Sequence, residues 1–241
     1  MKRFILIKIF MILLFNIQLS ANEIKNNPDI DYNGKYFFGD GLGVNSHLTL
    51  AEDTFSFLWR GCLGVYGENS GTFTISNNKL NIFPAKQNIQ KGFGGTPTEF
   101  IFISWGNRLY LIPDNDTDLI DFCNSINQNS EPREDVHGQF YLKENNENIK
   151  VSDYPKLPKK YSDYLLNKPL KGKIIKIINK KLCIVNIGKN NGLKKGMELF
   201  PVESDDFITL ETIDVYNDTA IIKNKYKGDK IKKKYKVSTR Y

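Results

Sequence analysis

Phe100-Ile101-Phe102-Ile103-Ser104-Trp105, then Gly106-Asn107, then, after Arg108, Leu109-Tyr110-Leu111-Ile112: the fold is decided on this stretch. Two aromatic and β-branched runs flank a Gly-Asn pair, which reads as strand, turn, strand. Working outward, the same pattern recurs. Tyr36 to Phe38, His47 to Leu50, Phe55 to Trp59, Thr72 to Ile75 and Leu80 to Phe83 are short strand-like runs, several alternating with period 2. Gly39-Asp40-Gly41, Glu68-Asn69-Ser70-Gly71, Asn77-Asn78 and Gly92 to Gly95 punctuate them. Short strands at such spacing predict an antiparallel barrel or sandwich rather than α/β. One helix interrupts the series between about Asp116 and Gln128, where Leu119, Ile120, Cys123 and Ile126 recur at helical spacing behind an acidic start. A strand near Gln139 to Leu142 closes this module.

Residues 143 to 160 read as a linker, with Glu144-Asn145-Asn146-Glu147-Asn148 followed by Pro155 and Pro158. A second module follows over 161 to 241. Tyr161 to Leu166 is expected to form a helical turn, and Gly172 to Ile178 with Leu182 to Ile187 a hairpin around Asn179-Lys180. Met197 to Val202, Ile208 to Val215, Thr219 to Lys223 and Tyr235 to Ser238 complete a small barrel. The whole is therefore expected to be all-β, with an N-terminal antiparallel barrel or sandwich over 22 to 142 carrying one short helix, and a small C-terminal barrel.

The glycine-spaced stretch Gly172-Lys173-Ile174-Ile175 and Val185-Asn186-Ile187-Gly188-Lys189-Asn190-Asn191-Gly192-Leu193-Lys194-Lys195-Gly196-Met197 resembles the small SH3-like barrels of bacterial envelope proteins, as in the C-terminal domain of flagellar assembly protein T. The resemblance covers roughly residues 170 to 240. It implies an SH3-like fold with its glycines shaping the turn at positive φ, and it carries no chemistry. The first module, with Gly39-Asp40-Gly41-Leu42-Gly43 and Trp59-Arg60-Gly61-Cys62-Leu63-Gly64, resembles secreted bacterial proteins, a resemblance that implies no activity.

The N-terminus predicts export. Lys2 and Arg3 precede an apolar run from Phe4 to Phe15, and Leu19-Ser20-Ala21 supplies a small-residue cleavage site, so residues 1 to 21 read as a signal peptide. The apolar run is short for a bilayer span, so no transmembrane segment is expected after cleavage, and the mature chain is expected to be periplasmic or secreted.

Charge divides by module. Residues 22 to 150 hold 10 Lys+Arg against 17 Asp+Glu, whereas residues 151 to 241 hold 21 against 10. The second module is thus read as facing either an anionic envelope surface or an acidic protein, or as a solvated lysine-rich surface. Within Lys223 to Lys236, cations interleave with aromatics, and Lys225, Lys227, Lys230, Lys232 and Lys233 are the candidate contacts for the anionic partner. Export argues against nucleic acid. Alternate lysines that protect strand edges are the competing reading.

Catalytic signatures are weak. Asp114-Asn115-Asp116-Thr117-Asp118 spaces three carboxylates as a calcium loop does, but Leu119 and Ser125 stand where such a loop needs Gly and Glu, so helix capping is the better reading. With His47 and His137 as the two histidines, a His-rich zinc site is excluded, and neither metal nor cofactor is expected. Asp40, His47, Trp59 and Arg60 form a candidate pocket set, which would serve a small-ligand carrier or a secreted hydrolase. Cys62 and Cys123 are a candidate disulfide, since closing the 61-residue separation would stabilise by roughly 4 kcal/mol through chain entropy; two buried thiols are the alternative. Cys183 is read as a buried free thiol. The sequence thus favours a non-enzymatic binding or assembly module, with the carrier or hydrolase as the alternative.

Overall fold

The computed structural model describes residues 30–39, 43, 45–89, 97–135, 138–149, 151, 153–202, 208–225 and 231–240. Residues 1 to 21, with the expected signal peptide, lie outside them, and no helix among the described residues is long and apolar enough to cross a membrane.

The N-terminal module is a closed barrel, not a sandwich. Its strands are β1 (Gly34–Phe38), β2 (Asn45–Ala51), β3 (Thr54–Gly61), β4 (Gly64–Ser76), β5 (Lys79–Ile89), β6 (Glu99–Trp105), β7 (Arg108–Pro113) and β8 (Tyr141–Lys143). Each pairs with its sequence neighbour, and β8 closes the ring by pairing antiparallel with β1, Phe37 opposite Leu142. Asn77 and Asn78 both take positive φ in the β4–β5 turn, a conformation asparagine tolerates. The barrel is filled by side chains: Tyr36, Leu48, Phe55, Leu80, Phe100, Phe102 and Tyr141 all bury in one cluster. Each such side chain contributes about 1.5–3 kcal/mol of burial.

The stretch 100 to 112 is continuously apolar because this part of the wall is buried on both sides. Phe100 and Phe102 fill the barrel, while Ile101, Ile103, Tyr110 and Ile112 face α1 (Asp116–Asn127) and join Leu119, Phe122, Cys123 and Ile126. The helix starts as expected for a capped one: Asn115 is extended, and its Oδ1 accepts from Asp118 N at 3.0 Å.

The C-terminal module is a second closed barrel, of β9 (Lys171–Ile177), β10 (Leu182–Val185), β11 (Glu198–Pro201), β12 (Leu210–Val215), β13 (Ala220–Asn224) and β14 (Lys236–Ser238), ordered β10-β13-β12-β11-β14-β9. Ile174, Cys183, Val185, Met197, Leu199, Leu210, Ile222 and Val237 fill it. Gly192 and Gly196 adopt φ of +89° and +87° in the β10–β11 connection. Gly188 is extended, but a Cβ there would lie 2.3 Å from Tyr216 O, so it is needed for close backbone approach rather than for φ.

The expected linker is packed along its C-terminal half. Lys156 N donates to Ser104 O at 2.8 Å, Trp105 Nε1 donates to Asp153 O, Pro155 is buried, and Leu157 packs against the cluster beneath α1. The short helix α2 (Lys159–Ser162) buries Tyr161 in the same cluster. Proline stiffness here positions a strap. The two barrels are joined through α1, whose apolar side packs on the first barrel while its asparagines bond the second. Asn124 Nδ2 donates to Gly196 O at 2.9 Å, and Gln128 Nε2 to Glu198 Oε2 at 2.9 Å. Asn127 Nδ2 donates to Tyr164 O at 3.0 Å, its Oδ1 accepts from Leu166 N at 2.9 Å, and its carbonyl accepts from Arg240 Nε at 2.6 Å.

Candidate functional site

The second barrel gathers its lysines on the wall where the ring closes. β14 pairs with β9 so that Lys236 stands directly opposite Lys173, and Lys171 opposite Ser238. The turn before β14 is bonded to the same strand: Lys234 N donates to Ile174 O, and Ile174 N to Tyr235 O, both at 2.9 Å. Lys232 Nζ lies 5.5 Å over the Tyr235 ring. Exposed Lys232, Lys233 and Lys234 therefore adjoin exposed Lys171, Lys173 and Lys176, and the β9–β10 turn adds exposed Lys180 and Lys181. Asn179 holds that turn, its Oδ1 accepting from Lys181 N at 2.8 Å and Leu182 N at 2.9 Å. The chemistry follows from composition along the chain: from Tyr164 to Met197 there are nine lysines and no Asp or Glu. Like charges directly opposite on adjacent strands cost stability, and the Lys173–Lys236 pair sets two of them face to face on this wall.

Of the expected contacts for an anionic partner, Lys232 and Lys233 lie on this wall. Lys227 and Lys230 fall outside the described residues. Lys225 belongs elsewhere: its Nζ lies 2.6 Å from Glu198 and 3.9 Å from Asp121, an ion-pair group at the joint between the barrels. The reason is local, since Lys225 immediately follows β13 and faces α1 across β11–β12. It borders a cleft of about 370 Å³ with Asp116, Ile120, Asp121, Tyr164, Lys195 and Glu211. Burial raises the Asp121 carboxyl, and Lys225 opposes that shift.

The candidate pocket set of the first barrel is split by the alternation of β2 and β3. His47 pairs with Leu58, and Ser46 with Trp59, so His47 and Trp59 take opposite faces of the sheet. His47 and Arg60 line an outer groove of about 450 Å³ with Lys35, Thr49, Ser56, Glu68 and Ser70. Burial, then Lys35, hold the His47 imidazole below the usual histidine range, while Glu144 pulls the other way. Its Nδ1 is buried without a hydrogen-bond partner. Trp59 instead borders an inner space of about 10 Å³ beside Ser46 and Tyr141, whose hydroxyls lie 3.0 Å apart. That space suits about one water and no organic ligand. Asp40 lies outside the described residues, as does His137.

The expected Cys62–Cys123 disulfide is not formed, and all three cysteines are free thiols. Cys62 is exposed in the β3–β4 turn, whereas Cys123 is on the buried side of α1 with its Sγ donating to Tyr161 O at 3.6 Å. Burial pushes the thiols of Cys123 and Cys183 up to about 12, which makes both inert at neutral pH. The sequence reading missed the β9–β10 lysines as part of the site, although the 34-residue stretch without an acid was there to find.

Compared with known proteins, the chain matches no family model, no curated protein and no solved structure.

Proposed function

We propose that this is an exported, non-enzymatic binding or assembly protein whose C-terminal barrel recognises an anionic partner in the cell envelope. The observation that carries the reading is the closing wall of the second barrel. Lys173 and Lys236 oppose each other there, beside a lysine turn bonded to β9, in a stretch of chain without acidic residues. Cross-strand pairing in folded barrels favours opposite charges, and an anion laid over the Lys173–Lys236 pair offsets the cost of that like-charge pair. The first barrel and α1 hold that wall in a fixed frame. The leader-like segment at residues 1 to 21 supports export.

The test is charge reversal. Lys173→Glu, Lys176→Glu and Lys233→Glu together are expected to abolish salt-sensitive retention of envelope components by the immobilised chain. Unchanged retention removes the basic wall from the function.

A second reading rests on the His47 and Arg60 groove, whose hydroxyls, imidazole and guanidinium suit a small polar ligand. The His47 ring signals would then shift on ligand titration followed by NMR, and Arg60→Ala would remove the shift. A screen of small anionic and sugar ligands that leaves those signals in place sinks it.

A further inference from the structure

Basic residues alone do not describe this wall. Ile175, Ile177 and Ile178 are 43%, 40% and 45% exposed. They sit among Lys173, Lys176, Lys180 and Lys181, all exposed, at and beside the β9–β10 turn. A solvated, edge-protecting lysine strand has no need of three isoleucines in water. Each exposed isoleucine forgoes the gain of taking its apolar surface out of water. The turn is also held in shape: Ile178 N donates to Leu182 O at 2.9 Å, and Asn179 Oδ1 accepts from the backbone amides of Lys181 and Leu182. The isoleucines are therefore presented by a rigid tip, so little ordering is required when something covers them.

We propose that the β9–β10 hairpin is a membrane-docking tip, which seats Ile175, Ile177 and Ile178 in the interfacial layer of an anionic lipid bilayer while the surrounding lysines hold the headgroups. This rests on the reading of the basic wall as an anion-binding face and names its partner. Charge complementarity selects the occupant. An acidic protein surface would satisfy the lysines and leave the isoleucines against polar groups, whereas a bilayer offers phosphates and, ~5–10 Å deeper, hydrocarbon. Lys180 and Lys181 directly follow the tip, where long side chains reach back to phosphate while their neighbours insert. Absence of acid between Asp163 and Glu198 means that no carboxylate of this hairpin meets the headgroups.

The experiment uses the chain from Asn22 onward, which holds every described residue and removes the apolar leader that would itself bind lipid. Co-sedimentation is measured with phosphatidylcholine vesicles and with vesicles containing phosphatidylglycerol. Binding to the anionic vesicles alone is expected. Lys173→Glu with Lys176→Glu and Lys181→Glu should weaken it by roughly 100-fold or more. Ile177→Asn with Ile178→Asn should weaken it by roughly tenfold and leave the salt dependence in place. Ile178→Trp should bind and show a blue-shifted emission increment with anionic vesicles, a readout that a folding defect does not produce. If the asparagine pair binds at full strength while the lysine reversal fails, insertion is overturned and the basic wall stands. Retention of an acidic protein with no vesicle binding overturns the lipid and again leaves the wall. Vesicle binding that survives the lysine reversal overturns both.

Discussion

The first barrel takes its eight strands in the order in which the chain supplies them, whereas the second runs β10-β13-β12-β11-β14-β9, out of chain order. The two also use their outer walls differently. β6 and β7 of the first are covered by α1 and the 151–166 strap, and every residue of β7 is buried. β9 of the second is covered by nothing among the described residues, and five of its seven residues are exposed. The comparison separates support from presentation. A wall buried on both faces carries the apolar area that stabilises the molecule, and a barrel tethered to it can leave another wall charged.

That division can be broken first at the support. Phe102 is fully buried, 4.5 Å from the Tyr32 ring and 6.1 Å from the Tyr36 ring by centroid. Phe102→Ala should cost about 3–5 kcal/mol. Labelling of the buried Cys183 thiol during urea unfolding then reports the second barrel separately. If α1 couples the barrels, Cys183 becomes reactive at the same lowered midpoint. An unmoved Cys183 midpoint means that the second barrel stands alone.

The joint itself is the next largest lever. Asn127 is 3% exposed and spends both ends of its amide on the strap, bonding Tyr164 O and Leu166 N. Replacing it by Ala removes both bonds from the half-buried Tyr164 carbonyl and Leu166 amide, at about 1–3 kcal/mol in all. Asn127→Ala should therefore split one unfolding transition into two, followed by Trp fluorescence for the first barrel, which holds Trp59 and Trp105, and Cys183 labelling for the second. One unsplit transition would place the coupling elsewhere along α1.

A pair of glycines sharpens the contrast between the barrels. A Cβ at Gly188 meets three backbone atoms of 216–219, the nearest at 2.3 Å, and Gly188→Ala should cost about 1–3 kcal/mol because backbone cannot step aside. In the first barrel a Cβ at Gly67 finds nothing nearer than Phe57 at 3.7 Å, so Gly67→Ala should stay within about 0.5 kcal/mol. Thermal midpoints of the two variants test the order, and a reversal would mean that the β12–β13 turn yields.

Strand existence was legible because β-branched and aromatic runs between turn residues are short-range signals. The helix was legible through the spacing of Leu119, Cys123 and Ile126 and through the capping stretch Asp114 to Asp118 ahead of them. What escaped depends on partners distant in sequence. The charge on Lys225 gives no hint that Asp121, over a hundred residues earlier, will meet it. The split of His47 from Trp59 needs the β2–β3 register, which alternation within either strand does not supply. The two cysteines share a module, yet a buried thiol on α1 and an exposed one in a turn have different surroundings that no spacing rule contains. The strap was misread because proline and asparagine mark irregular backbone without saying whether that backbone is packed.

The smallest expected effect bears most directly on function. Lys173 opposes Lys236 across β9–β14, so Lys173→Glu exchanges a like pair for an opposite one. In a wall whose only role is to stay in water, this substitution gains roughly 0.2–1 kcal/mol and costs nothing else. In a wall built to meet an anion, it gains the same stability while losing affinity. The two readings predict the same shift in urea midpoint and opposite outcomes in binding, so both must be measured on the same variant. A more stable protein that binds anionic surfaces less well is the signature of stability given up for recognition. A more stable protein that binds equally well makes the lysines an edge-protection device, and the functional surface must then be sought in the groove beside His47.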